Sequence, residues 1–169
     1  MKTPSAEDLF LVLSLHAAKH VWGRLIWLCD LARIMSLPEL NWNWIASQAA
    51  ALGAVRILRV SMLLANQLLE TPIPAAAEAN LPRDLQASAL AEEIQGHMSH
   101  DTAYDVESWS YFRLMLRLRE RQADRLRFVN RLAFTPGPGE WAAVRLPRTL
   151  FPLYRLVRLS RLAVRLVSS

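Results

Sequence analysis

Apolar residues recur at helical spacing from Leu9 to Met35 and predict one long first helix. Ser5 stands at its N-cap, Glu7 and Asp8 suit the dipole of its first turn, and Pro38 follows its end. Asn41 caps a second helix, Trp42 to Leu52, which Gly53 closes. A third runs from Ala54 to Glu70 and is stopped by Pro72 and Pro74. The stretch Thr71 to Pro82, with four Ala and three Pro, reads as a linker. A fourth helix, Arg83 to Gln95, leads into the polar loop Gly96 to Asp101. A long Arg-rich helix with one break is expected from Val106 to Ala133, and Thr135-Pro136-Gly137-Pro138-Gly139 ends it. A helical turn around Trp141 follows, then a last helix from Pro147 to Val167, whose start Pro152 delays. No period-2 strand or internal repeat interrupts this pattern. The fold class is therefore all-α, an irregular helical array of about five to seven helices. It reads as a single helical domain over residues 1–169. Residues 1–71 form a three-helix N-terminal region and residues 72–82 a linker. Residues 83–134 form an Arg-rich helical region, and residues 135–169 a breaker with a basic amphipathic C-terminal helix.

Composition supports a globular chain. Apolar residues make up 53% of 169 and charged residues 21%, enough to bury a core. Five Gly and one Cys exclude collagen-like and disulfide-scaffold classes. Cys29 has no partner within the chain, which points to a reducing, cytoplasmic setting. Lys2 before the apolar run Leu9 to Leu15 imitates a signal peptide, but Glu7 and Asp8 sit where positive charge belongs. His16, Lys19, His20 and Arg24 interrupt the best candidate for a spanning helix. Charge is unevenly distributed. Residues 1–112 carry seven Lys and Arg against twelve Asp and Glu; residues 113–169 carry thirteen Arg against three acids.

On a continuous first helix, His16, Lys19, His20, Gly23, Arg24, Trp27 and Asp30 share an arc of roughly 140°. Leu11, Leu15, Ala18, Val21, Trp22, Leu25 and Cys29 fall on the opposite, apolar side. His16 and His20 have the i, i+4 spacing of a metal-chelating pair, but Ala17 stands where a zincin helix needs Glu. Asp30 would lie roughly 15 Å from His20 along such a helix, too far to complete a site. No metal is expected. Two readings stay open for the polar line: a surface facing a ligand or partner, with Lys19 and Arg24 contacting an anion and Gly23 permitting close approach, or an ordinary solvated face.

The rest of the chain offers little chemistry. His97, His100, Asp101, Asp105 and Glu107 match no metal cage and read as a solvated loop. Asp105-Val106-Glu107 imitates the paired carboxylates of nucleotidyl transfer, but a helical context and Gly96-His97 in place of a Gly-Ser loop argue against it. No nucleophile elbow is present, and Cys29 on an apolar face would be inert. No catalytic residue emerges. Arg113, Arg117, Arg121 and Arg125 fall at i+4 steps, and Arg155, Arg158, Arg161 and Arg165 line one face of the last helix. Such a face suits an anionic membrane, an acidic protein surface or a nucleic acid, or is merely solvated in a chain with eighteen Arg and two Lys. Of the partners, a membrane surface is less favoured than a protein. Nucleic acid is the least favoured, because no aromatics are interleaved as a stacking platform.

The run from Glu7 to Asp30 contains an acidic-leucine start, His16, Lys19-His20-Val21-Trp22, Arg24-Leu25 and Trp27-Leu28-Cys29-Asp30. In these motifs it resembles the C-terminal helical part of the uncharacterised nucleotidyltransferase family, which is similar to DNA polymerase β-type nucleotidyltransferases. Thr135-Pro136, Glu140-Trp141 and Leu146-Pro147 to Arg158 are similar to that family's C-terminal segment, so the resemblance spans most of the chain. It implies an upstream catalytic domain with a Gly-Ser loop and paired Asp residues on strands, elements this sequence does not contain. Mg²⁺ and a nucleoside triphosphate are then expected only with that missing or separate domain. Two expectations follow. The first is a helical accessory domain, inactive alone, that positions nucleotide or acceptor through Lys19, His20 and Arg24. The second is a non-catalytic interaction module that docks its basic C-terminal helix on a protein or anionic membrane.

Overall fold

The computed structural model describes residues 3–99, 108–135, 141, 144 and 147–168, and no strand occurs among them. Helix α1 spans Ala6–Lys19. The Ser5 hydroxyl accepts the Asp8 N–H at 3.1 Å and the Asp8 carboxylate accepts the Ser5 N–H at 3.1 Å, a reciprocal cap that fixes its start. The long first helix expected up to Met35 is broken, because residues 20–24 form a turn before α2, Leu25–Met35. Helix α3 is Trp42–Leu52, capped by the Asn41 side chain on the Trp44 N–H at 2.9 Å. Gly53, with φ of 67°, ends it in the left-handed conformation that Gly adopts without steric cost. Helix α4 is Val55–Leu69.

The segment read as a linker contains helix α5, Ala75–Asn80, and buries Ala77 and Leu81. Helix α6, Leu85–Ser99, runs past the expected stop and takes in Gly96 and His97, so the polar loop begins later than the sequence implied. The long Arg-rich helix breaks once, as expected, into α7, Trp109–Leu118, and α8, Gln122–Phe134. That break divides the four arginines spaced at i+4: Arg113 and Arg117 belong to α7, Arg121 caps α8 and Arg125 lies within it. A 3₁₀ segment, Arg148–Leu153, contains Pro152 and delivers the chain to α9, Tyr154–Ser168. The described residues thus hold nine α-helices rather than five to seven. The excess comes from the break after Lys19 and the short helix in the Pro-Ala segment.

The chain forms two compact units, Met1–Glu120 and Arg121–Ser169. In the first, α4 is the central helix, packed by α1, α2, α3 and α6. It buries Leu58, Val60, Met62 and Leu64 together with Arg59 and Ser61, so almost its whole circumference is desolvated. Phe10 of α1 meets Trp42 of α3 edge-on, ring centroids 5.3 Å apart. Arg56 secures the later helices: its guanidinium pairs with Asp84 and donates to the Arg117 carbonyl at 2.6 Å. Its backbone N–H donates to Glu120. In the second unit α9 packs on α8 and on the 3₁₀ segment, and Tyr154 is the buried residue among those described. Among the described residues no helix is long and apolar enough to cross a membrane.

Candidate ligand-facing site at the α1–α2 turn

The break after α1 has a specific local cause. Val21 and Trp22 both adopt positive φ, 51° and 49°, a region in which a β-branched residue is strained. Tertiary contacts hold them there. The Trp22 indole is fully buried, and its Nε1 donates to the Ser61 hydroxyl of α4 at 3.0 Å. The Val21 side chain is buried beside it. Gly23 permits the close approach of backbone to backbone. Its N–H donates to the His20 carbonyl at 3.0 Å, and a Cβ at this position would meet that oxygen at 3.2 Å. The glycine thus serves the turn itself rather than the approach of a ligand.

This turn gathers side chains that a straight helix would string out. His16 on α1, His20 at its C-cap and Trp27 on α2 form a ring cluster, with centroids 5.0 Å apart for His16–His20, 5.0 Å for His16–Trp27 and 5.5 Å for His20–Trp27. The Arg24 guanidinium lies 5.8 Å from the Trp27 ring centroid, within cation–π range. His16, Lys19, His20 and Arg24 are exposed and Trp27 is half-buried. Partial desolvation, then the nearby charges of His16, Lys19 and Arg24, hold the His20 pKa below the ordinary imidazole value. His20 is therefore mostly neutral at pH 7, with one nitrogen to donate and one to accept. The Lys19 carbonyl accepts the Tyr111 hydroxyl at 3.3 Å, which ties the turn to α7.

Of the six residues singled out in the sequence, His16, His20, Arg24 and Trp27 come together and Lys19 stands at their edge. Asp30 is exposed further along α2 and makes no hydrogen bond or ion pair with them among the described residues. Cys29, placed by helical periodicity on the apolar side, is exposed, as are Leu25 and Ile26, because the turn at residues 20–24 interrupts the continuous helix which that periodicity assumes. Trp22 and Ser61 were not read as a pair; a buried indole needs an acceptor, but 39 residues separate the two in sequence. Among the described residues no group of three or more His, Cys, Asp and Glu is placed to hold a metal ion. His97 is half-buried in α6, while His100, Asp101, Asp105 and Glu107 lie outside the described residues. What the cluster offers chemically is three rings tilted against one another, at 54°, 88° and 39°, bordered by cations. That combination stacks on a planar group and holds an anion beside it.

The match to known families falls on this same region. Residues 1–70 match the model of a family described as uncharacterised nucleotidyltransferase. The match contains α1 to α4, and with them the ring cluster and the Trp22–Ser61 hydrogen bond. It covers fewer than half of the residues, and the tail segment that resembled the same family in sequence lies outside it. No curated protein and no solved structure matches the chain.

The basic face of the last helix is arranged differently from its sequence pattern. Arg155 is exposed, whereas Arg158 and Arg161 are half-buried. Arg158 donates through Nε to the Leu132 carbonyl in the last turn of α8, where a helix dipole favours a cation. The Arg165 side chain lies outside the described residues.

Proposed function

We propose that the chain acts as the helical accessory domain of a nucleotidyltransferase-like protein, facing nucleotide or acceptor with Lys19, His20 and Arg24 over the His16–Trp27 rings. The observation that carries this reading is the coincidence of the ring cluster with the family match over residues 1–70. Strain at a non-glycine turn is more often retained where it positions working side chains than where it does not, and here it positions His20 and Arg24. The chemistry of transfer, with Mg²⁺ and triphosphate, belongs to a separate catalytic domain carrying a Gly-Ser loop and paired Asp residues. The role of the present residues is to bind and orient: Arg24 and Lys19 hold negative charge, and the rings hold a flat group.

The test is an NMR titration of the chain with ATP, GTP, CTP and UTP in turn, followed at the His16 and His20 imidazoles and the Trp27 indole. At least one nucleotide is expected to move all three sets of resonances, and Arg24→Ala is expected to weaken that response about tenfold. Resonances unmoved by all four at millimolar concentration would overturn the nucleotide assignment.

A further inference from the structure

The second unit presents apolar and basic side chains on the same surface. Residues 121–169 contain ten Arg against Asp124 and Glu140, a net charge of +8, and no Lys. Among the described residues few of their apolar side chains are removed from water. On α9, Tyr154 is buried and Val157, Arg158 and Arg161 are half-buried, which turns that side toward α8. Among its described side chains the helix exposes Leu156 at 61%, Leu159 at 38% and Val164 at 67%, together with Arg155 and Ser160. The helix has therefore packed part of its basic side inward, with Arg158 on a carbonyl of α8, and left apolar residues facing water. The neighbouring 3₁₀ segment continues the surface with Phe151 and Leu153. A cavity of about 500 Å³ is lined by Phe134, Thr135, Phe151, Pro152 and Arg155. A guanidinium and a hydroxyl thus line this open recess beside two phenylalanines.

From this geometry we infer that the end of α8, the 3₁₀ segment and α9 form a docking surface for an anionic lipid membrane. Two features select the occupant. The net charge of +8 is complementary to an anionic surface and opposes assembly with a second copy of the same surface. The exposed apolar residues belong to α9, the 3₁₀ segment and the end of α8, and Arg155 lines the same recess as Phe134 and Phe151. An interfacial helix has the same requirements: Leu and Phe enter the acyl boundary while Arg keeps its charge at the phosphate level. The surface lies on the membrane and does not span it. It is separate from the ring cluster and does not depend on the accessory-domain reading.

The experiment is co-sedimentation of the full chain with vesicles of phosphatidylcholine alone and of phosphatidylcholine with 30 mol% phosphatidylglycerol. Binding is expected to the anionic vesicles and not to the neutral ones, and to weaken as salt shortens the electrostatic range. Leu156→Ser with Leu159→Ser is expected to reduce the partition coefficient about tenfold or more, from the loss of buried apolar area. Both side chains are exposed, so circular dichroism of the double variant should match the parent. Failure to bind anionic vesicles in low salt overturns the inference. So does equal binding by the double variant, which would leave only non-specific attraction. If soluble poly-glutamate binds with the same dependence on Leu156 and Leu159 while vesicles do not, the surface is a protein dock instead and the lipid assignment is wrong.

Discussion

The two units solve the same problem with opposite resources. In residues 6–120, α4 is enclosed by four helices, and its one buried arginine is matched by a carboxylate: Arg59 pairs with Glu78 of α5 at 2.9 Å. In residues 121–168, two helices and a 3₁₀ segment pack together, but α8 buries no residue and Leu126, Phe134, Phe151 and Leu156 stay in water. Helix formation is common to both; enclosure is not. A helix can form from local spacing and caps, whereas its apolar face becomes a core only when other elements cover it. The first unit has those elements. Among the described residues of the second, several apolar side chains stay exposed beside a run rich in arginine.

The most direct challenge to this contrast is to truncate the same side chain in both units. Leu64 is fully buried in α4, and Leu64→Ala is expected to cost about 2–5 kcal/mol, through lost burial and the cavity left behind. Leu156→Ala removes the same atoms from an exposed site and is expected to change stability by less than about 0.5 kcal/mol. Urea unfolding followed by far-ultraviolet circular dichroism measures both. Equal losses would mean that α9 is covered in solution.

Next in size is the lock on the α1–α2 turn. Trp22→Phe keeps an aromatic ring but removes the donor to Ser61, leaving a buried hydroxyl unsatisfied, and is expected to cost about 1–3 kcal/mol. Loosening the strained turn should also separate the rings, so the Trp27 indole resonance should lose its ring-current shift. A destabilised variant in which that resonance does not move would show that the cluster assembles without the lock.

The turn also marks the limit of what the sequence could reveal. Ser5 with Asp8, Asn41, Gly53 and the Pro72–Pro74 pair announced their helix ends, because capping and proline act within a few residues. His16, His20, Arg24 and Trp27 were legible as one polar group because i, i+4 neighbours stay near one another on either side of a turn. The break itself was not legible. Val21 has little intrinsic tendency toward positive φ, and what holds it is the burial of Trp22 against a helix that arrives 39 residues later. Nor could the inward turn of Arg158 be read, since its acceptor, the Leu132 carbonyl, belongs to another helix.

The arginines of the two units differ in the same way. Arg59 is buried, and its bond to Glu78 is the chief reason that the Glu78 pKa falls below the ordinary carboxylate value. Because the folded pKa is depressed, this contribution is present above the unfolded pKa near 4.5 and is lost as pH falls through the folded value. Glu78→Gln leaves the buried guanidinium a neutral acceptor in place of its counter-charge and is expected to cost about 1–3 kcal/mol at pH 7. The difference from the parent should shrink as pH falls below about 4.5, where the unfolded carboxylate takes up a proton, and level off once the folded carboxylate has protonated too. Arg158→Ala in the second unit removes a partly solvated cation from a helix C-terminus and should cost only about 0.3–1 kcal/mol. Thermal melts across pH 3–7 test the pair, and a Glu78→Gln penalty that stays constant down to pH 3 would contradict the assigned role.

The smallest effect concerns backbone strain in the enclosed unit. Glu70 closes α4 with φ of 53°, a conformation that suits glycine, and its side chain is exposed. Val21 shares that strain, but its side chain is buried, so replacing it with glycine would trade relief against lost packing. At Glu70 the relief stands almost alone. Glu70→Gly is therefore expected to raise stability by up to about 1 kcal/mol, the left-handed penalty less the added freedom of glycine in the unfolded chain. A chemical-denaturation midpoint that rises with unchanged slope would locate the gain in the folded state. A lower midpoint would mean that the side chain of Glu70 does more for the first unit than its exposed position implies.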